Sequence, residues 1–247
     1  MKVKFAIIVA GRGVFPASLI SQAKEQLFKA LKENSMEYIV LPDQATETGA
    51  VQTMREAPIF HSIKLAGLDV PVLVQACDDE DDKLSLDERR DSFCGKISVC
   101  NNLYYGGIKF SLTSLHTCAL DSEAFAKDLR KFSKVCEVVY AMRHARIGLI
   151  GMRPDPFRTV RFSEKILQRS GVTTCVADLS ELIAAAKRMD DTARIAEYMD
   201  KIREYGSIPA CISGDKVEKQ AKLILAVKDW LVENGCDAFA MQCWNSI

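Results

Sequence analysis

Arginine, glutamine and tryptophan side chains follow several apolar segments of the sequence, and their chemistry suits a sugar. Arg12 lies between two glycines, Arg153 precedes a proline, and Gln242 and Trp244 stand close to the last residue of the chain. Guanidinium and amide groups donate hydrogen bonds to hydroxyls, and an indole ring offers an apolar face to a sugar ring or chain. Each of these residues alone is also compatible with an ordinary solvated loop or, for Trp244, a place in a core.

Other kinds of site find little support. Gly11-Arg12-Gly13 follows an apolar run, but the dinucleotide-binding fingerprint needs a third glycine where this chain has Pro16. The phosphate-binding pattern G-x-x-x-x-G-K-[ST] and the nucleophile pattern G-x-S-x-G are absent from the sequence. The three histidines, His61, His116 and His144, have no His or Cys four residues away, so we predict no metal site within these 247 residues.

The elements that must position these side chains alternate between strands and helices. Val3 to Ala10 predicts a buried strand, and Pro16 opens an amphipathic helix that runs to about Glu33. Further strands are predicted at Tyr38 to Leu41 and Val70 to Gln75, with a helical pattern from about Thr48 to Leu65 between them. Such alternation favours a parallel sheet covered on both faces, whose ligands bind at the carboxyl ends of the strands.

The rest of the first half continues the pattern. An acidic run, Asp78 to Lys83, is typical of a solvated loop. Short apolar runs at Ile97 to Cys100 and Ile108 to Leu112 predict two more strands, giving about five strands in a doubly wound, Rossmann-like (flavodoxin-like) domain. Asp121 is placed to cap a helix that ends near His144. We therefore predict a first α/β domain over 1–145.

A second α/β domain is predicted over 146–247. Arg146 to Ile150 and Thr173 to Ala177 read as strands, and Phe157 to Ser170 as a helix closed by Gly171. Asp178 or Ser180 caps the next helix, and an apolar stripe after Ser213 and Asp215 predicts another that Gly235 ends. Asp237 to Met241 reads as a last buried strand. Since such a strand normally has a crossover and a neighbour after it, this second domain is expected to be incomplete.

Charge and cysteine content limit the cellular setting. Lys plus Arg and Asp plus Glu both number 33, so no overall field attracts nucleic acid or a membrane surface. The apolar segment near the N-terminus is too short for a membrane span and lacks a cleavage site. Nine cysteines without any C-x-x-C pair indicate reduced thiols, and together these features predict a cytoplasmic protein.

Three segments, taken in order, resemble one family. CGKISVCNNL (94–103), RIGLIGMRPDPF (146–157) and CDAFAMQCW (236–244) are similar to segments of the L-fucose/L-arabinose isomerase-like proteins. The resemblance spans most of residues 94–247, while residues 1–93 agree mainly in pattern. It implies two Rossmann-like N-terminal domains and a C-terminal domain, in an aldose–ketose isomerase whose ene-diol chemistry uses a divalent metal, usually manganese, held by carboxylates and a histidine.

The resemblance also assigns residues. Met152, Gln242 and Trp244 match positions that line the sugar site, with Arg153 beside them, and Arg12 matches an arginine that reaches the site of a neighbouring subunit. The first metal-binding glutamate of the family follows the strand after the Q-C-W segment, beyond the end of this sequence. We therefore expect no catalytic or metal-binding residue in the chain and no activity from it alone, and the resemblance implies a monosaccharide substrate and a homo-oligomer, trimeric or hexameric.

Two other interpretations stay open at this point. The chain is also compatible with a non-enzymatic cytoplasmic sugar-binding module, since two tandem α/β domains around a cleft describe such proteins too. A truncated relic that acts only in assembly is the third interpretation. Trp244 is expected to be either a sugar platform beside Met152 and Arg153 or a core residue.

Overall fold

A computed structural model describes residues 3–46, 49–52 and 70–242. Within these ranges the strands are β1 Lys4–Ile7, β2 Glu37–Val40, β3 Leu73–Val74, β4 Ser111–Leu112, β5 Arg146–Ile150, β6 Thr173–Ala177 and β7 Ala238–Met241. The helices are α1 Ala17–Glu33, α2 Ser92–Tyr105, α3 Glu123–Arg143, α4 Glu164–Arg169, α5 Leu179–Arg188, α6 Thr192–Tyr205 and α7 Gly214–Glu233. Every paired strand among them is parallel, which confirms the predicted α/β class.

The chain forms two compact units, Met1–Val138 and Val139–Ile247. In the first unit, β1 pairs with β2, β3 pairs with β4, and Ala10 forms a parallel bridge to Val51. Its core contains Leu31, Phe125 and Leu129, all almost fully buried. The division at 145 that the sequence suggests, and the Rossmann-like arrangement within each half, stay predictions.

Helix α1 follows closely from its sequence. It begins directly after Pro16, whose extended backbone starts the first turn, and it buries Ile20, Ala30 and Leu31 along one side. Asn34 then closes it, because both the backbone N–H and the side-chain amide of this residue donate to the carbonyl of Ala30. The predicted span to Glu33 is correct.

Helix α2 corrects one strand prediction. Ile97 to Cys100 is not a strand but lies inside this helix, which buries Lys96 and Leu103 and leaves Ile97 56% exposed. An apolar run of four residues cannot by itself distinguish a strand from a helix. The run Ile97 to Cys100 is apolar, yet none of its residues is fully buried.

Other first-unit predictions are only partly right. β1 was predicted to be a buried strand, but its residues are exposed or half-buried. β1, β3 and β4 are shorter than the apolar runs that predicted them. At the start of α3 the capping side chain is Ser122, whose hydroxyl accepts the backbone N–H of Phe125 at 3.2 Å, rather than the expected Asp121. The helix predicted from Thr48 begins too early, because Val51 pairs with Ala10 as a strand would; its remainder lies outside the described residues.

The second unit is built on a three-stranded sheet with the order β6-β5-β7. Gly148 of β5 faces α7, where a Cβ would come within 2.8 Å of the Trp230 ring, so the close approach of this helix requires a glycine. The stripe predicted along α7 is present, with Val217, Ala221 and Val227 buried. Asp178 caps α5 by accepting the backbone N–H of Ser180 at 2.7 Å.

Two second-unit predictions are wrong. The single helix expected over Phe157 to Ser170 is instead a 3-10 turn, Arg158–Val160, followed by the short α4. β7 is not the buried strand expected: it is an edge strand in the described sheet, and Ala238 to Ala240 are exposed. An apolar sequence alone does not reveal whether a neighbour covers it. Helix α6 had no counterpart in the sequence analysis.

Gly171 offers a direct test of this fold. Its φ is +88°, and a Cβ there would lie 2.2 Å from the backbone oxygen of Arg143, so Gly171→Ala should destabilise the second unit by about 1–3 kcal/mol from the backbone conformation alone, with the clash adding more. Chemical denaturation measures this. Gly206→Ala is the matched control, because a Cβ at Gly206 meets nothing within 4 Å. Equal stability of the two variants would contradict the structure at this turn.

Candidate functional site

The carboxyl ends of β5 and β7 lie side by side. Ile150 pairs with Met241 in register, and the backbone N–H of Gln242 donates to the carbonyl of Ile150 at 2.8 Å. On the other side, the N–H of Gly151 donates to the carbonyl of Ala177 at the end of β6 at 2.9 Å. The parallel register therefore brings the segment after β5 and the segment after β7 to one edge of the sheet.

The side chain of Gln242 holds the turn after β5. Its Oε1 accepts the backbone N–H of Met152 at 2.8 Å. Gly151 has a φ of +76°, and a Cβ on it would lie 2.7 Å from Gln242 Oε1 and 2.8 Å from Gln242 Cβ, so no larger residue fits here. Met152 and Gln242, assigned to a sugar site from the sequence, are thus in direct contact.

Two neighbouring side chains have different surroundings. Met152 is 77% exposed, so its thioether chain offers an apolar surface at this edge. Arg153 turns back onto its own loop, where Nη1 donates to the carbonyls of Pro154 at 2.9 Å and Asp155 at 2.8 Å. A sugar could reach the guanidinium only through its remaining donors. Trp244 lies outside the described residues.

Arg12 lies in the first unit, after β1, and is tied to the start of α2. It forms an ion pair with the Asp91 carboxylate, and its Nη2 also donates to the Asp91 carbonyl at 3.1 Å. Its Nη1 donates to Cys94 Sγ at 3.3 Å, and the Phe15 ring stacks on the guanidinium at 4.7 Å. The hydrogen bond between the two side chains raises the pKa of Arg12 and lowers the pKa of Asp91.

Asp91 is itself held on several sides. It occupies the position that caps α2, with φ 46° and ψ 36°, yet its carboxylate makes no capping bond and contacts Arg12 and Arg89 instead. Asp79 fixes the backbone, because its Oδ1 accepts the N–H groups of Arg90 at 2.7 Å and Asp91 at 2.8 Å. The acidic run expected to be a solvated loop therefore contributes a structural carboxylate.

Sequence reasoning missed both Asp91 and Lys96. Lys96 is 6% exposed, and its Nζ donates to Thr113 Oγ1 at 2.9 Å and to the carbonyls of His116 at 2.8 Å and Leu115 at 3.4 Å. Burial lowers its pKa. These three hydrogen bonds hold the loop after β4 against Lys96. The sequence around Lys96 gave no signal of these contacts, although the residue lies in the segment CGKISVCNNL that carries the family resemblance.

Among the residues that the structure describes, no three His, Cys, Asp or Glu side chains are grouped so that they could hold a metal ion. In the same part of the chain, no helix combines the length and the apolar character needed to cross a membrane.

Comparison with known proteins bears on the family. Residues 56–143 match the family model of the fucose/sulfoquinovose isomerase N-terminal domain. The match confirms the resemblance over residues 56–143, which include the segment CGKISVCNNL (94–103). The match supports an N-terminal portion of a fucose isomerase-like protein, and so a sugar isomerase family.

The remaining comparisons add no functional argument. No curated protein matched the sequence. A solved structure provisionally described as a two-component system response regulator/GGDEF domain protein aligns with 99% of this chain and 93% of its own, at 11% identity. Its TM-score of 0.25 is too low to support a shared fold.

Gln242 should order the turn after β5. Replacing it with alanine removes the acceptor of the Met152 N–H, so hydrogen exchange of that amide should accelerate by about tenfold, the factor expected for a lost hydrogen bond of about 1.4 kcal/mol. Gln242→Glu keeps an acceptor and should retain the protection. Equal exchange rates in the alanine and glutamate variants would contradict this role.

The Arg12–Asp91 pair should make stability depend on acid. Because the folded-state pKa of Asp91 is lower than the value of about 3.9 in an unfolded chain, the pair stabilises the fold above that pH and this contribution disappears as the pH falls through the lower folded-state value. Asp91→Asn should therefore lower the melting temperature by a few degrees at pH 7 and hardly at all at strongly acidic pH. A difference of the same size at both pH values would refute the assignment.

Proposed function

We propose that this chain serves an aldose–ketose isomerase that acts on a monosaccharide of the L-fucose or L-arabinose class. The match of residues 56–143 to the N-terminal domain of fucose/sulfoquinovose isomerases is the observation that carries the proposal. Two segments outside the matched residues, 146–157 and 236–244, resemble the same family and add support.

In this proposal the chain contributes sugar binding rather than the chemical step. Open-chain sugars present hydroxyls, which accept hydrogen bonds from guanidinium and amide groups, and carbon faces, which pack on apolar side chains. The exposed Met152 at the carboxyl edge of the second unit supplies such an apolar surface, with Arg153 next to it in sequence and Gln242 bonded to its backbone N–H. Trp244, two positions after Gln242 in the sequence, is the aromatic group of the proposal. By the same resemblance, Arg12 of the first unit supplies a positive group to the sugar site of a neighbouring subunit.

The manganese implied by the resemblance does not fit the described residues, which bring together no three metal-binding side chains. We therefore place the metal, its carboxylate and histidine ligands and the proton transfers that form the ene-diol outside this part of the protein. The proposal further holds that the complete enzyme works in the cytoplasm as a homo-oligomer, a trimer or a hexamer.

Binding without turnover is the expected behaviour of the 247-residue chain. Calorimetric titration should detect binding of L-fucose or L-arabinose, because the groups that contact the sugar are present. An isomerase assay of the same sample with excess manganese should show no turnover above a chelated control, because no cluster of metal ligands is present in the described residues to fix the ion.

The two arms of this experiment separate the possible errors. Turnover above the chelated control would contradict the placement of the catalytic groups outside the described residues. Absence of binding to both sugars would contradict the sugar-binding role itself.

A further inference from the structure

We propose that Asp91 is a positioning residue for Arg12, and that its carboxylate sets the direction in which the Arg12 guanidinium points. The part of this inference that concerns sugar rests on the proposed function, in which Arg12 reaches the sugar site of a neighbouring subunit. The part that concerns the order of the Arg12 side chain rests only on the contacts within the first unit.

Asp91 does not make the side-chain hydrogen bond that usually caps a helix. Aspartate at the first position of a helix normally accepts a backbone N–H of the first turn with its carboxylate. Asp91 occupies that position at the start of α2, but its backbone is left-handed and its carboxylate makes no such bond. Its two oxygens instead receive Arg12 and Arg89. Left-handed backbone outside glycine is uncommon and tends to persist where the surroundings enforce it.

Asp79 holds the left-handed backbone of Asp91 in place. One oxygen of that carboxylate accepts the N–H groups of two consecutive residues, Arg90 and Asp91, at 2.7 and 2.8 Å. The turn that aims the Asp91 side chain is therefore anchored independently of Arg12. The chain of contacts runs from Asp79 to the Asp91 backbone, and from the Asp91 carboxylate to the Arg12 guanidinium.

The contacts of Arg12 fix the plane of its guanidinium. Nη2 makes two bonds to Asp91, one to the carboxylate and one to the carbonyl, while Nη1 reaches Cys94 and Phe15 covers one face. A guanidinium has five N–H groups. Within the described residues these contacts use three, so the Nε–H and one Nη1–H keep defined directions for an external acceptor such as a sugar hydroxyl.

Orientation, rather than stability, is the main effect to expect. The side chains of Arg12 and Asp91 are 34% and 24% exposed, and ion pairs that remain in contact with solvent add little to the free energy of folding. An arginine side chain nevertheless has large rotational freedom, which a sugar would have to restrict on binding. A partner that has already restricted it raises affinity without a new contact to the sugar.

The test combines NMR of the Arg12 Nε–Hε group with calorimetric titration of L-fucose in the full chain. Asp91→Asn keeps the size of the side chain and suits left-handed backbone, but removes the charge. It should shift and broaden the Arg12 Nε–Hε signal and weaken L-fucose binding by about tenfold, with the fold retained. Asp200→Asn is the control, since Asp200 pairs with Arg203 on the exposed surface of α6, and it should change neither readout.

An unchanged Arg12 signal in Asp91→Asn would overturn the inference. Arg12→Ala separates it from the proposed function: if that variant binds L-fucose as tightly as wild type, Arg12 is not a sugar contact, while the NMR signal still decides whether Asp91 orders it. Should Asp91→Asn fail to fold, acid titration of the wild-type Arg12 signal replaces it. A signal that moves as Asp91 is protonated supports the inference, and one that does not move refutes it.

Discussion

The parallel register of β5 against both of its neighbours is the constraint on which the candidate site depends. Ile150 lies opposite Ala177 on one side and Met241 on the other, so all three strands end at one level. The residues that follow β5 and β7 are then close enough for a side chain of one segment to bond the backbone of the other, as Gln242 does with Met152. A shift of one residue in this register would turn Gln242 to the other face and break that bond.

The cationic side chains of Arg12 and Lys96 in the first unit have different surroundings. Arg12 keeps a carboxylate partner and remains partly open to solvent, which suits a group that is to meet a polar ligand. Lys96 is nearly inaccessible and bonds only to neutral oxygens, so desolvation lowers its pKa and its three donors are directed into the protein. The first arrangement leaves donors for binding, whereas the second holds the loop after β4 in place.

Local patterns in the sequence were sufficient for elements with clear boundaries. β5 and β6 have the predicted bounds, because each is a short apolar run with a clear start and end in the sequence. Asp178 caps α5, as predicted. The contact between Met152 and Gln242 also follows from the rule that parallel strands bring their carboxyl ends together. That rule predicted the edge of the second unit, whereas the family was predicted from the three segments alone.

Contacts between distant residues could not be predicted in this way. Arg12 and Asp91 are separated by 79 positions, and nothing near either residue specifies the other. The exposed face of β7 and the helical state of Ile97 to Cys100 likewise depend on what packs against them, which an apolar run does not record.

The most direct measurement of the central claim is an NMR titration of the chain with L-fucose. The account predicts that the amide signals of Gly151, Met152 and Gln242 move together and saturate, while those of Thr173 and Asp237 at the opposite edge of the sheet stay in place. Movement confined to the opposite edge, or none at either edge, would contradict it.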